Sequence, residues 1–281
     1  MNENFLDLSQ SVSNIKFTQK EEQIYTWLSA PDPSTNLNKA SKQRQKDTGV
    51  WFLRSDIFQK WQTDQHTFLW LHGIPGCGKT ILSSTIIEHL ENTYPDRLLL
   101  YFYFDFTDSG KQTLENVVRS LVIQLYRKCK NTQTLLDSLF SSHENGGRQL
   151  SCDSLCKVFL QMVDLAKEVN VVLDALDECQ TRKGSHFEGP LSWIECLRQS
   201  GQSNVRLLVT SWLEHDIETV LRKIADSDED IVPIQGDLIN DDIRSYVHTR
   251  VRQGNGLKRW SSRPEVLEEI ETQLMEKANG M

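Results

Sequence analysis

The chain lacks an apolar run long enough to cross a membrane as a helix. Its longest uninterrupted apolar stretch is LLLYFYF at 98–104, whereas a spanning helix needs about 20 such residues. The first residues, MNENFLDLSQ, carry acidic side chains and no basic cluster, so they do not have the pattern of a secretory signal. We therefore expect a cytoplasmic protein without a membrane span.

The sequence also lacks an excess of positive charge. It has 31 Lys and Arg against 39 Asp and Glu, a formal net charge of −8 and a pI near 5.4. Nucleic-acid-binding proteins normally show a basic patch and a high pI, so we expect no nucleic-acid partner. A hydrophobic content of 38% and a charged content of 25% are ordinary for a globular protein and too apolar for a disordered one.

Cysteines are few and scattered. Of the six, only Cys152 and Cys156 are close in sequence, one helical turn apart in LSCDSLCKVFL. Metal sites normally show paired short spacings with His or Cys partners, and this pattern is missing. We expect buried, reduced thiols of a cytosolic protein.

From residue 67 onward, short apolar runs alternate with segments of helical spacing. Strands alternating with helices imply a parallel sheet that is covered on both faces. The predicted strands are TFLWLH at 67–72, LLLYFYFDF, VNVVLDAL, NVRLLVTS and DIVPI, and helical patterns occupy KTILSSTIIEHLENTY, TLENVVRSLVIQLYRKC, LCKVFLQMVDLAKE and SWIECLRQ.

The two ends of the chain show other patterns. Residues 1–17 have no strong period and are expected to form a loose arm, and FTQKEEQIYTWLSA predicts a short helix that the prolines after it end. The polar stretch STNLNKASKQRQKDTG is expected to be a linker or loop, whereas VWFLRSDIFQKWQ should pack onto the strands and helices C-terminal to it. NDDIRSYVHTRVRQ and RPEVLEEIETQLMEKA predict two final helices without strands.

One glycine-rich stretch carries a motif for phosphate binding. Residues 73–80, GIPGCGKT, fit G-x-x-x-x-G-K-[ST] between a predicted strand and a predicted helix. Glycines let backbone N–H groups approach phosphate oxygens, and the helix N-terminus adds its positive dipole end. We expect Lys79 to bridge the terminal phosphates and Thr80 to ligate Mg²⁺; the alternative is a glycine-rich turn with a surface lysine. The predicted nucleotide-binding residues here are Gly73, Ile74, Pro75, Gly76, Cys77, Gly78, Lys79, Thr80 and Ile81.

Three carboxylates lie at the end of the predicted strand in VNVVLDALDECQ. Asp174 ends the apolar run and is expected to hold the Mg²⁺ shell. Asp177 or Glu178, with Glu178 preferred, would orient or deprotonate an attacking water. The alternative is that Asp177 and Glu178 are solvated loop acids.

These segments together resemble a known family. GIPGCGKT and VVLDALDE, with the LLVTS strand and the preceding TGVWFL element, resemble the NACHT-type nucleotide-binding domain of signal-transduction P-loop NTPases, in its fungal NOD-like receptor and nephrocystin-like branch. The resemblance runs from about Thr18 to the C-terminus. It implies a central parallel sheet with Mg-ATP at its C-terminal edge, and ATP/ADP exchange that switches oligomerisation.

The resemblance also bears on the element before the glycine-rich stretch. It implies that Thr48 and Gly49 lie near the nucleotide base and that Trp51 borders it. The alternative is that Trp51, Phe58 and Trp61 cap the edge of the sheet.

Two positions depart from the family pattern. Ala175 stands where the family usually has Gly, and Thr210-Ser211 precedes Trp212 where an arginine is expected to sense the phosphates. A tryptophan cannot stabilise a phosphate as arginine does. We expect Thr210 to hydrogen-bond the terminal phosphate or its water, and Trp212 to pack against a neighbouring loop. We therefore expect tight nucleotide binding with slow hydrolysis.

The combined prediction is an α/β P-loop NTPase with a five-stranded, mainly parallel sheet flanked by helices. An N-terminal arm and helix would occupy residues 1–45, the NACHT-like domain 46–236, and a partial, truncated helical subdomain 237–281. The predicted function is an Mg-ATP/ADP switch that binds a homo-oligomeric or signalling partner. The alternatives are a nucleotide-binding module without turnover and a P-loop small-molecule kinase; against the kinase, the chain shows no arginine-rich lid.

Overall fold

A computed structural model gives the fold. The prediction of a loose arm over residues 1–17 lies outside the part that it describes. The structure describes residues 18–63, 67–183, 189–200, 204–234 and 237–278.

Five strands form one sheet in the order β2-β3-β4-β1-β5, and each neighbouring pair is parallel. The strands are apolar almost throughout because helices cover both faces of the sheet. All five lie where the sequence predicted strands, which confirms the predicted fold class. Their bounds are Phe68–His72 (β1), Leu98–Tyr103 (β2), Val169–Asp174 (β3), Val205–Ser211 (β4) and Ile231–Pro233 (β5).

Helices flank this sheet on both faces, and further helices precede β1 and follow β5 along the chain. They are residues 18–28 (α1), Ser34–Gln43 (α2), Val50–Leu53 (α3), Asp56–Gln62 (α4), Lys79–Thr93 (α5), Leu114–Lys128 (α6), Lys130–Ser142 (α7), Cys152–Asp164 (α8), Pro190–Gln199 (α9), His215–Ile224 (α10), Asp237–Gln253 (α11) and Pro264–Ala278 (α12).

Alternate residues of each strand face two separate apolar layers. On one face, Leu100, Val171 and Leu207 pack with α1 and α6–α10. On the other, Leu69 and Leu208 pack with α3, α4 and α5. The sheet is therefore the middle layer of three, and its strand ends lie between the layers.

One expectation is wrong: the polar stretch STNLNKASKQRQKDTG, expected to be a linker or loop, contains α2. Only Ala40 of this helix is buried, so the sequence shows no apolar stripe. Tertiary contacts stabilise it instead, because Ser41 and Arg44 both donate to Glu88 of α5, at 2.5 and 2.6 Å. A helix fixed by polar contacts to a distant segment cannot be found from hydrophobic spacing.

Two helices, α7 and α10, are not among the predicted ones. Both helices have apolar residues at helical spacing in the sequence. These residues are buried on one face, Ile217, Leu221 and Ile224 in α10 and Leu136 and Phe140 in α7. The predicted final helices, α11 and α12, are present. Among the described residues no helix is both long and apolar enough for a bilayer. None of the six cysteines forms a disulfide, and the described part holds no group of three or more His, Cys, Asp or Glu side chains suited to a metal ion.

Candidate nucleotide site

The segment of residues 73–80, here called the glycine loop, joins β1 to α5. Gly76 and Gly78 have φ of 80° and 91°, a left-handed conformation that glycine adopts readily and other residues rarely do. Gly78 is also the cap of α5 and accepts the Leu82 N–H at 2.8 Å. The first N–H groups of α5 have no partner within the helix, so this end favours an anion.

Gly73 is a glycine for a different reason. A Cβ at this position would lie 2.7 Å from the Cys77 Sγ and 2.8 Å from the Ile234 carbonyl oxygen. Both distances are shorter than real carbon contacts allow, so the end of β1, the loop and the residue after β5 approach too closely for any side chain.

The Lys79 ammonium is enclosed by the loop itself. Its Nζ donates to the carbonyl oxygens of Gly73 at 2.7 Å and Ile74 at 3.0 Å, and lies 3.9 Å from the Cys77 Sγ. The side chain is 8% exposed. The positive charge is thus held within the loop, on the strand side of the α5 N-terminus.

Asp174, at the end of β3, is the centre of a hydroxyl cluster. Because β4 lies between β1 and β3, a residue of β4 can fill the space between the glycine loop and this aspartate. Asp174 is 1% exposed, and it accepts hydrogen bonds from the hydroxyls of Thr80 at 2.7 Å, Ser83 at 2.6 Å and Thr210 at 2.7 Å. The predicted metal residues, Thr80 and Asp174, are therefore in direct contact.

The chemistry of this cluster suits a hard cation. Burial raises the pKa of Asp174, and the hydrogen bonds from Ser83, Thr210 and Thr80 oppose that rise. Carboxylate and hydroxyl oxygens are the ligands that Mg²⁺ prefers. Sequence reasoning missed Ser83, although it stands three residues after Thr80 on the same face of α5.

The two predicted acids after Asp174 hold neighbouring loops. They lie in a short 3₁₀ turn, Leu176–Glu178. The Asp177 Oδ1 accepts the Trp212 N–H at 2.9 Å, and the Glu178 Oε2 accepts the Phe106 N–H at 2.9 Å. Burial raises the pKa of both carboxyl groups. Each acid therefore joins the end of β3 to the segment after an adjacent strand, β4 for Asp177 and β2 for Glu178.

The two departures from the family pattern both have structural consequences. Ala175 has a φ of 57°, so the position where the family usually has glycine is left-handed, and its N–H donates to the Thr210 hydroxyl at 2.9 Å. Trp212 is 41% exposed, so its ring is only partly covered. The centre of its ring lies 5.9 Å from the Lys79 Nζ, where it faces the charge that the loop encloses.

A cavity of about 410 Å³, here called the side cavity, opens beside the glycine loop. Thr48, Gly49 and Trp51 line it, as do residues of α11 and α12. The loop side of the wall consists of Gly76, Cys77, Gly78 and Ile81. The cavity thus continues from the loop toward the helices at the end of the chain.

Two hydrogen bonds to Asp242 join α11 to the opposite wall of the side cavity. The Asp242 Oδ2 on α11 accepts the Gly49 N–H at 2.8 Å, and the Trp51 side chain donates to the same carboxylate. Burial raises the pKa of Asp242. Phe58 and Trp61 are fully buried in the apolar layer on one face of the sheet, whereas Trp51 lines the side cavity.

The predicted loop residues contribute in different ways. Ile74 and Pro75 are exposed at the outer turn, and the Ile74 carbonyl accepts the Cys77 N–H at 3.3 Å. Ile81 and Cys77 face the side cavity, where burial raises the pKa of the Cys77 thiol. The loop therefore holds the Lys79 ammonium on its own carbonyl oxygens, while residues 76–78 face the side cavity.

A parallel sheet with a glycine loop before α5 and a buried aspartate one strand removed defines a P-loop NTPase-type α/β domain. The family described as nephrocystin 3, N-terminal, matches residues 47–212, more than half of the chain. The chain therefore belongs to that family, which confirms the NACHT-type, nephrocystin-like resemblance.

A fungal relative extends the match. The vegetative incompatibility protein HET-E-1 of Podospora anserina is 26% identical to the chain over 227 residues. The match covers 74% of this chain and 15% of HET-E-1, so the chain corresponds to a small part of that protein.

Proposed function

We propose that the chain binds a nucleoside triphosphate with Mg²⁺ at the glycine loop and works as a nucleotide-dependent switch with slow hydrolysis. The observation that carries the proposal is the hydrogen bond from Thr80 to the buried Asp174, next to Lys79 of the same loop, whose positive charge counteracts the rise that burial causes in the pKa of that carboxyl group. A lysine and a hydroxyl–carboxylate pair supply the two kinds of group that a metal-bound triphosphate needs.

The residues present fit both parts of the ligand. Thr80 and Asp174 would hold Mg²⁺, which supplies positive charge beside the terminal phosphates. The backbone N–H groups of the loop and of the α5 N-terminus would bind phosphate oxygens, and Lys79 would exchange its carbonyl partners for them. The side cavity, with its apolar wall, suits the base of ATP or ADP.

The acids after β3 determine the hydrolytic step in this proposal. Glu178 or Asp177 would orient an attacking water, and Thr210 would hydrogen-bond the terminal phosphate or that water. Trp212 contributes no positive charge to the developing phosphate charge. We therefore expect turnover on the order of 10⁻⁴ to 10⁻³ per second, the scale of a P-loop NTPase that lacks its arginine finger.

A second candidate function is a binding module without turnover. The observation in its favour is that each acid is already engaged with a backbone N–H, Asp177 with that of Trp212 and Glu178 with that of Phe106. Both candidates require the same nucleotide site and differ only in whether phosphate is released.

The proposal extends to the setting of the protein. Since the cysteines form no disulfide, a reducing, cytoplasmic location suits the chain. A nucleotide-dependent switch acts through a protein that binds one of its states, so we propose a further copy of the chain or a signalling protein as partner.

Replacing Lys79 with Ala tests the nucleotide site. Loss of the ammonium should weaken triphosphate binding about a hundredfold, the scale of a charged hydrogen bond to phosphate. Binding is measured by titration calorimetry with Mg-ATP and Mg-GTP. Lys157→Ala is the matched control, because this lysine pairs with Asp153 on the exposed surface of α8. Unchanged affinity in Lys79→Ala would refute both candidate functions.

Single-turnover assays of phosphate release separate the two candidates. The wild-type chain is held in excess over radiolabelled triphosphate, and released phosphate is measured for hours. Slow release supports the switch, whereas binding without any release supports the second candidate. A rate on the order of tens per second would contradict both.

A further inference from the structure

Arg182 occupies a central position between two loops at the candidate site. It lies beyond Asp177 in the segment after β3, and its Nη1 donates to the Asp177 carbonyl oxygen at 2.8 Å. Its Nε donates to the Asp216 Oδ2 at 3.0 Å, and its Nη2 donates to carboxylate oxygens of Asp216 and Glu214. All three nitrogens of the guanidinium are therefore bonded to the protein.

These contacts close a ring through the segment that carries Trp212. The Asp177 side chain accepts the Trp212 N–H at 2.9 Å, and Glu214 lies two residues after Trp212. Arg182 contacts Glu214 and, through the Asp177 carbonyl, returns to the starting residue. Asp177 is thus fixed at both its backbone and its carboxylate, and each fixing contact belongs to the same ring.

The charges around Arg182 favour this arrangement. Glu214 stands at the N-cap position of α10 and Asp216 lies in its first turn, where acidic side chains interact well with the helix dipole. Although burial raises the pKa of Asp216, hydrogen bonding and charge from Arg182 lower it overall. A guanidinium can bond two carboxylates and a carbonyl at once because its donors form a planar fork, whereas the compact ammonium of lysine cannot.

We propose that Arg182 is a positioning residue, which fixes Asp177 and the Trp212 segment and thereby controls the rate of hydrolysis rather than nucleotide affinity. The proposal rests on the proposed function. The family's usual arginine after Thr210-Ser211 is missing, and Arg182 does not replace it as a phosphate contact, since its donors hold protein oxygens. It acts on the hydrolytic step through the geometry of Asp177.

The test compares Arg182→Gln and Arg182→Lys with Arg222→Gln. Arg222 is a matched control because it lies on α10 and pairs with Glu218 on the same helix and with Asp228, and it makes no ion pair with the described residues of the loop after β3. Three quantities are measured for each variant: the amide exchange rate of Trp212 by NMR, the Kd for Mg-triphosphate, and the single-turnover rate of phosphate release. Thermal unfolding checks that each variant folds.

In Arg182→Gln we expect the Trp212 amide to exchange at least about tenfold faster, because the contact that protects it opens locally. Phosphate release should slow about ten- to a hundredfold, the scale of a small misplacement of a catalytic group, with Kd within threefold of the wild-type value. Arg182→Lys should fall between, and Arg222→Gln should match the wild type in all three.

Two results would overturn the proposal: a Trp212 amide that exchanges as in Arg222→Gln, or a loss of affinity equal to the loss of rate. If the wild-type chain binds nucleotide but releases no phosphate, the proposed turnover fails. The exchange of the Trp212 amide then still decides whether Arg182 fixes this segment.

Discussion

The glycine loop with its hydroxyl cluster and the side cavity beside it are built in opposite ways. The first is polar, and its side chains bond one another around a buried carboxylate: Asp174 alone accepts three hydroxyls within 2.7 Å. The second is mostly apolar and assembled from remote segments, with hydrogen bonds from Gly49 and Trp51 to Asp242 across its wall. The glycine loop and its hydroxyl cluster are fixed by many short contacts, and the side cavity is fixed by few. We therefore expect substitutions in the first region to affect hydrolysis and substitutions in the second to affect nucleotide affinity.

This difference arises from where the residues lie in the chain. The glycine loop and its hydroxyl cluster form where three adjacent parallel strands terminate, because the fold brings those strand ends to one edge of the sheet. The cavity requires α11 to lie against the segment around Gly49, which is separated from Asp242 by nearly the whole domain. A fluctuation of α11 would open the cavity without disturbing the aspartate cluster.

Replacing Asp174 with Asn should give the largest effect, and that effect should be confined to the glycine loop and its hydroxyl cluster. The substitution keeps the shape of the side chain and removes the charge that would hold Mg²⁺, so magnesium should no longer strengthen triphosphate binding, and phosphate release should fall about a hundredfold or more. Kd is measured with magnesium and with a chelator. Asp137→Asn is the control, since Asp137 accepts the Tyr126 hydroxyl at 3.0 Å, between α6 and α7. An undiminished magnesium effect would contradict the proposed metal role of Asp174.

The same contrast explains what the sequence could predict. The glycine loop, Asp174 and Thr210 were predictable because a fixed local spacing or a strand end determines where each one lies. Ser83 was also within reach, since it stands three residues after Thr80 in a helix. The proposed roles of all these residues in binding and hydrolysis stay predictions.

Other features could not be found from local patterns. The bond of Asp177 to the Trp212 N–H depends on the conformations of two loops, and neither loop has a sequence period. The α2 helix buries only Ala40, so its stability depends on Glu88 in another element. The side cavity depends on how α11 packs, which no spacing within α11 encodes.

Replacing Gly73 with Ala should disturb the point where the two regions meet. The added Cβ would approach both the Cys77 Sγ and the Ile234 carbonyl, and Cys77 and Ile234 line the side cavity. We expect the free energy of unfolding to fall by about 1–3 kcal/mol, as for other overpacked positions. Chemical denaturation measures this, with Gly110→Ala as control, because a Cβ there would meet only the Asp108 Oδ1 at 3.1 Å.

A second substitution shows which neighbour causes the loss. Cys77→Ala removes the sulfur, so Gly73→Ala in that background should cost less than it does alone, as expected for residues in contact. Equal costs in the two backgrounds would assign the strain to the Ile234 carbonyl. A cost below about 0.5 kcal/mol in the single variant would contradict the close approach itself.

Replacing Asp242 with Ala should give the smallest effect, which should be confined to nucleotide binding in the side cavity. The change removes the acceptor for the Gly49 N–H and the Trp51 side chain, so the cavity wall should open more often and the nucleotide should dissociate faster. We expect Kd to rise about tenfold, equivalent to about 1.4 kcal/mol, with most of the change in the dissociation rate. Stopped-flow release of a fluorescent nucleotide measures that rate.

The matched control for Asp242 is its neighbour on α11, Asp241, which is exposed to solvent. Asp241→Ala should release nucleotide at the wild-type rate. In Asp242→Ala, the single-turnover rate of nucleotide that remains bound should stay within twofold of the wild-type value, because the hydroxyl cluster around Asp174 is untouched. If bound nucleotide were hydrolysed tenfold more slowly, the side cavity and the hydroxyl cluster would be coupled through the glycine loop. The assignment of affinity to the side cavity and of hydrolysis to the hydroxyl cluster would then be wrong.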